Sequence, residues 1–127
     1  MKLLDNLRYT KTHEWARKEN DEVVVGITDH AQHEISDIVH IELPALGKKV
    51  EAGKPVAVVE SVKAAFDINA PVTGVVSKIN TELETTPELP NKDPYGSGWL
   101  FVIQPDLAHE YDALMNASQY EKITGAH

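Results

Sequence analysis

Lys63 lies inside the run Val56 to Gly74, VAVVESVKAAFDINAPVTG, and is the residue of this chain best placed for covalent chemistry. The run reads as two short apolar strands, Val56–Glu60 and Ala65–Ala70, with Ser61-Val62-Lys63-Ala64 between them. A tight hairpin tip that holds a lysine off the sheet leaves its amine open to a modifying enzyme. The side chain there does not compete for core space. A loop lysine in isolation reads as a solvated surface charge, so the meaning of Lys63 rests on its surroundings.

Those surroundings are short β-rich segments punctuated by Gly and Pro. His13–Arg17 and Val23–Ile27 read as a hairpin around the polar turn Lys18-Glu19-Asn20-Asp21. The spacing predicts a brief helix over Thr28–Ile35, with Asp29 as cap and Gln32 completing a capping box. Ile38–Leu43 alternates apolar and polar side chains, and the apolar Val56–Val59 suits a strand buried on both faces. Val75–Ile79 and Trp99–Ile103 add two strands. Leu107, Tyr111, Leu114 and Met115 recur at helical spacing behind Asp106 as cap, reading as a helix packed on the sheet. Ser118 and Glu121 suggest a capping box for a last helix ending at Gly125. A faint internal duplication, Gly26-Ile27-Thr28 against Pro71-Val72-Thr73-Gly74, suits a two-sheet sandwich. No linker or low-complexity segment appears, so residues 1–127 read as one domain with an N-terminal hairpin extension and a C-terminal helical tail.

With 127 residues the chain can bury a core without staples. It has no cysteine, which removes disulfides, thiolate metal sites and thiol catalysis; any redox-active sulfur must come from a cofactor. Twelve basic against twenty acidic residues argue against nucleic acid or an anionic membrane as partner. The start Met1-Lys2-Leu3-Leu4-Asp5-Asn6 lacks the pattern of a secretory or import leader, and no apolar run approaches bilayer length. A cytoplasmic, bacterial-type protein is the expectation. The absence of sustained heptads and of a long apolar edge suits a monomer. His30-x-x-His33 could present two imidazoles on one helical face, but no third metal ligand is placed by sequence.

Gly47 lies sixteen residues before Lys63 and Gly74 eleven after it, each near a Pro-marked turn, Pro44 and Pro71. These intervals resemble the pattern of lipoyl and biotinyl carrier domains. Six segments more specifically resemble the glycine cleavage system H protein family: Tyr9–Trp15, Val25–Gln32, Asp37–Pro44, Glu60–Ala64, Ala70–Gly74 and Asn91–Trp99, in family order. The resemblance implies a mainly β, flattened two-sheet sandwich of the barrel-sandwich hybrid type, with a short helix near 29–35 and C-terminal helices. It implies a lipoylated carrier that is not itself an enzyme, with lipoate in amide linkage on Lys63. The arm would shuttle an aminomethyl group from the pyridoxal-phosphate-dependent glycine decarboxylase to the tetrahydrofolate-dependent aminomethyltransferase. Dihydrolipoyl dehydrogenase would reoxidise it, and a lipoate ligase or lipoyl transferase would attach it.

Within that resemblance, Glu60 and Asp67 flank Lys63 at −3 and +4 and could give the ligase an acidic landmark; otherwise they are solvated carboxylates beside a turn. Glu14 is the first candidate for gripping the amine of the loaded arm, with Asp67 and the Thr12 hydroxyl second. Asn91–Trp99 reads as an ordered loop carrying Trp99 into the core, with a docking surface for the aminomethyltransferase as its functional reading. Ser36, where the family commonly has Gly, His40, in place of an aromatic, and Phe66, in place of a small polar residue, depart from the family pattern. Two other readings remain: an H-like protein relaying lipoyl or octanoyl groups to other complexes, and an unmodified interaction module.

Overall fold

The computed structural model describes residues 3–124. Nine strands are β1 (Arg8–Tyr9), β2 (Glu14–Glu19), β3 (Glu22–Ile27), β4 (Ile38–Glu42), β5 (Lys49–Val50), β6 (Pro55–Ser61), β7 (Ala65–Asn69), β8 (Gly74–Ile79) and β9 (Phe101–Pro105). The helices are α1 (Asp29–Ile35), α2 (Leu89–Lys92), α3 (Ala108–Asp112) and α4 (Ala117–Thr124), with a 3-10 turn at Thr81–Glu84. All strand pairs are antiparallel. They form a six-stranded sheet, β1-β2-β3-β9-β8-β5, and a three-stranded sheet, β4-β6-β7.

Side-chain alternation along a strand explains the two cores. Val23, Val25, Ile27, Phe101 and Ile103 face the smaller sheet and join Ile38, Ile41, Val59 and Ile68 in the main core. Val24 and Val102 point the other way, into a second cluster with Tyr9, Trp15, Tyr95 and Tyr120. The strands buried on both faces are therefore β3 and β9. In Val56–Val59, read from sequence as doubly buried, Val58 stays partly exposed because none of the described residues covers the outer face of the small sheet there. Gly26 sits opposite Trp15 in the β2–β3 ladder, and a Cβ there would meet the indole ring at 2.5 Å. Gly26 thus makes room for the largest buried side chain.

The helix ends differ from the sequence expectation. Thr28, not Asp29, caps α1: its hydroxyl accepts from the Ala31 N–H at 3.1 Å. Asp29 is the first helical residue and accepts from the Gln32 amide at 2.8 Å. Asp106 contributes only its backbone N–H, to Thr73 O, and Leu107 precedes α3 without a side-chain cap. The capping box of α4 is Asn116 with Gln119, each side chain accepting from the other's backbone N–H at 2.9 and 3.0 Å, rather than Ser118 with Glu121. Gly125 lies outside the described residues. Tyr111 and Leu114 pack on the main core and Met115 on the second cluster. Of the segment read as a loop, Asn91 and Lys92 close α2, and the loop after them sends Tyr95 inward, with Leu100 beyond it, while Trp99 stays half-buried and β9 begins at Phe101.

Two features shape the corner between α1 and β4. Ser36 has φ 72° and ψ −148°, a region open almost only to glycine. Asn91 holds the corner: its amide N–H donates to Ser36 O at 2.7 Å and its Oδ1 accepts from the Ile38 N–H at 3.0 Å. A β-bulge then interrupts the β4–β6 register between Ile38 and His40. The expected alternation of Ile38–Leu43 breaks there, leaving Val39 and His40 both exposed between buried Ile38 and Ile41. Replacing Ser36 by glycine removes the backbone strain and is expected to raise stability by about 1 kcal/mol after allowing for what glycine adds to unfolded-chain entropy. Urea denaturation checks this; a midpoint at or below that of the parent chain would refute strain at the corner.

Candidate functional site

The tip of the β6–β7 hairpin is built by Ser61. Its hydroxyl accepts from the backbone N–H groups of Ala64 and Lys63 at 3.2 and 3.4 Å. The Ser61 N–H donates to Ala64 O at 2.8 Å. A short polar side chain that bonds the backbone two and three residues on stabilises a tight turn. Ser61 is buried while Val62, Lys63 and Ala64 are exposed, so the turn is pinned from beneath and presents the Lys63 amine outward. The Ser61 signal was present in the sequence, since serine at the head of a four-residue turn commonly makes this bond.

Two clefts run along the edge of β7. The nearer, of about 380 Å³, lies between β7 and α1 and is lined by Thr12, His13, His30, Ala31, Glu34, Ile35, Phe66, Asp67 and Ile68. The farther, of about 560 Å³, is mostly apolar, with Tyr9, Ala70, Pro71, Leu114, Met115 and Ile123 among its walls. Thr12 lines both, so they meet at its side chain.

Thr12 and Asp67 are thus brought together on the nearer cleft. Glu14 is fully buried and faces the farther one. Its Oε1 accepts from the hydroxyls of Thr12, at 2.6 Å, and Thr10, and its Oε2 from the Asn69 N–H at 3.0 Å. Burial pushes the Glu14 carboxyl above the ordinary range, and these hydrogen bonds pull back against it. Glu60 stands apart from the clefts: it is half-buried one ladder step below the turn, opposite His40 on β4 and Ala65 on β7. His40 therefore neighbours the lysine motif across the sheet, and Phe66 forms part of the nearer cleft wall.

His13 takes a left-handed backbone, φ 74°, unusual for a bulky residue. The Tyr120 hydroxyl meets its Nδ1 at 2.7 Å, and its ring lies 4.5 Å from that of His30. Burial, with His30 beside it, lowers the His13 pKa, partly offset by Glu34. The same Tyr120 hydroxyl bonds Thr28 Oγ1 at 2.8 Å, and burial pushes its pKa up to about 12. Tyr120 belongs to a tail read from sequence only as a packed helix, so its anchoring role was not foreseen. His30 lies 3.5 Å from the Glu34 carboxylate and His33 is exposed. Among the described residues no group of three or more His, Asp or Glu is placed to hold a metal.

The fold is a two-sheet β sandwich with an exposed lysine at a pinned hairpin turn. The family described as "Glycine cleavage H-protein" matches residues 7–127. The glycine cleavage system H protein of Thermus thermophilus is 54% identical over 115 residues, 91% of this chain and 90% of that protein. That of Acinetobacter baumannii is 50% identical over 115 residues, 91% of this chain and 93% of its own. The crystal structure of a glycine cleavage system H protein from Mycobacterium marinum superposes with a TM-score of 0.89 at 34% identity, covering 97% of this chain and 99% of that one. The chain belongs to the glycine cleavage H-protein family, the non-catalytic lipoyl carriers of the glycine cleavage system.

Because the folded state holds the Glu14 proton more tightly than the unfolded chain, this group's contribution to stability is full below the ordinary carboxyl pKa. It declines as pH rises through the raised value. Glu14→Gln removes that slope, and at neutral pH it costs little because the threonine hydroxyls can turn to accept from the amide. Glu14→Ala orphans three donors and is expected to cost about 1–3 kcal/mol. Denaturation series taken from acid to neutral pH check both. Equal losses in the two variants would refute this account of the site.

Proposed function

We propose that Lys63 carries the lipoyl group and that the Ser61–Ala64 turn displays it. The observation carrying this reading is an exposed amine on a turn pinned by a buried serine, with a cleft beginning a few residues down the same strand. The residues suit the group. Lysine stem plus acyl chain is on the order of ten bonds of about 1.5 Å. Asp67, four residues along, lies roughly 10–14 Å away at strand rise. The arm therefore spans from the turn to the meeting point of the clefts. When bound, the dithiolane supplies the sulfur chemistry that a cysteine-free chain lacks. Amide formation removes the lysine charge and lowers the cost of entering an apolar groove.

Asp67 and Thr12, both exposed on the rim of the nearer cleft, hold the amine of the aminomethyl cargo by charge-assisted hydrogen bonding. Glu14, its oxygens already accepting, holds Thr12 in place. Partners are the glycine decarboxylase, the aminomethyltransferase, the dihydrolipoyl dehydrogenase and a lipoate ligase or lipoyl transferase, with Glu60 and Asp67 as landmarks for the last. Tethering raises the effective concentration of cargo at each partner. We place this carrier, as one domain and a monomer, in the bacterial cytoplasm; its relatives above are bacterial, and among the described residues no helix is long and apolar enough to cross a membrane.

Intact mass and peptide mapping after incubation with lipoate, ATP and a lipoate–protein ligase should show one lipoyl increment on Lys63, absent from Lys63→Ala. No increment on the parent chain would sink the carrier reading. At equal lipoyl content, Asp67→Asn should release ammonia from the loaded carrier several-fold faster, since it loses a charge-assisted bond to the amine. Unchanged release would remove Asp67 from the grip.

A further inference from the structure

Acylation of Lys63 differs from every later use of the arm in one geometric respect. The later partners are reached at the full length of the arm. The attaching enzyme must bring its acyl group to Nζ itself, about 6 Å from the Lys63 Cα along the stem. It therefore has to touch the protein around the turn, and the surface there has an unusual feature.

Among the described residues, five large apolar side chains are strongly exposed, and two of them border this turn: Val62 at 74% and Val39 at 51%. Val62 precedes the lysine. Val39 comes from a different strand and is turned outward by the β4 bulge. Ile38 pairs with Ser61 and the two valines lie on opposite sides of that pair along the antiparallel strands, so their Cα atoms flank it within about 13 Å of each other. Bulges re-aim side chains beside functional sites. This one costs a regular ladder and a buried valine, and is held by the Asn91 bond to the Ile38 N–H. Carboxylates border the pair: exposed Asp37 before β4 and half-buried Glu60 beneath the turn.

We propose that Val39 and Val62 form the apolar contact on which the Lys63-acylating enzyme docks, with Asp37 and Glu60 meeting a basic rim on that enzyme. The proposal rests on Lys63 being the acceptor. In the docked complex Nζ, as free amine, forms an amide bond to the acyl carbon of an acyl-adenylate. The acyl–oxygen bond breaks, AMP leaves with that electron pair, and the amine proton passes to solvent. A small apolar centre within a charged ring is the arrangement in which a few side chains carry most of an interface's energy.

The test measures initial rates of lipoylation of the full-length apo chain by a lipoate–protein ligase with lipoate and ATP, read by intact mass. Val39→Asp is expected to lower kcat/KM about ten-fold or more and Val39→Thr, which keeps the shape, several-fold. Leu46→Asp, also strongly exposed but outside this surface, should stay at the parent rate. Thermal melts establish that each variant is folded, and Val39→Thr decides the matter if the aspartate variant is not. Once lipoylated to completion, Val39→Asp should be reduced by dihydrolipoyl dehydrogenase at the parent rate, separating docking for attachment from later traffic. A folded Val39 variant acylated within about two-fold of the parent rate, where a docking hot spot should show far more, overturns the proposal while leaving Lys63 as acceptor. Failure of the parent chain to be acylated at all overturns both.

Discussion

A buried carboxylate joins the two sheets where the clefts meet. Glu14 begins β2 in the large sheet, and its Oε2 accepts from the Asn69 N–H on the outer edge of β7 in the small one. β7 is an edge strand, and an unpaired edge N–H in a buried setting is costly. Glu14 satisfies this one with a charge that is itself expensive to bury, and the Thr10 and Thr12 hydroxyls complete its shell. The position of β7, and so of the hairpin's second arm and the cleft wall beside it, follows from this tie.

The tie is steadied from behind by residues distant in sequence. The backbone of Tyr9 pairs with that of Met115, and the Tyr9 ring stacks on Tyr120 at 4.8 Å. Tyr120 in turn bonds both His13, whose left-handed backbone aims Glu14 inward, and Thr28, which caps α1. The C-terminal helix thereby locks the N-terminal loop against the helix forming the other cleft wall. A carrier has no transition state to stabilise. What it requires is a rigid frame for one long flexible group, and this network is distributed over the N-terminal loop, α1 and the C-terminal helix.

The small sheet shows the opposite economy. Its far edge carries a strained Ser36, a bulge and an exposed valine within four residues, all stabilised by the side chain of Asn91. Strained backbone persists only where surrounding contacts over-determine it. That it lies across one strand from the lysine turn, and not at a remote loop, is what gives the corner its interest.

Much of this was legible in the chain itself. The hairpin, its lysine and its flanking carboxylates are local: apolar runs bounded by turn formers have few other ways to fold, and the two strands of the hairpin fall within a residue of expectation, whereas the two-residue strands β1 and β5 were not foreseen. The β2–β3 hairpin and α1 were legible for the same reason, as was the family, since its motifs are contiguous. Helix caps were misassigned by one or two residues because Thr28, Asp29, Asn116 and Ser118 are all competent caps, and only the path of the chain selects among them. Trp99, expected in the core at the end of an ordered loop, packs only half-buried against the second cluster, whose fully buried tryptophan is Trp15 beside Gly26. Nothing in the sequence shows that Glu14 spends its carboxylate on Asn69, fifty-five residues away, or that Tyr120 reaches His13. The sequence by itself determined which residue offers its amine and on what kind of turn, because those depend on near neighbours. Which carboxylate is buried and already hydrogen-bonded and which is exposed, and which valine is turned outward beside the lysine hairpin, only the tertiary structure decided, because each depends on how two sheets and a tail pack together.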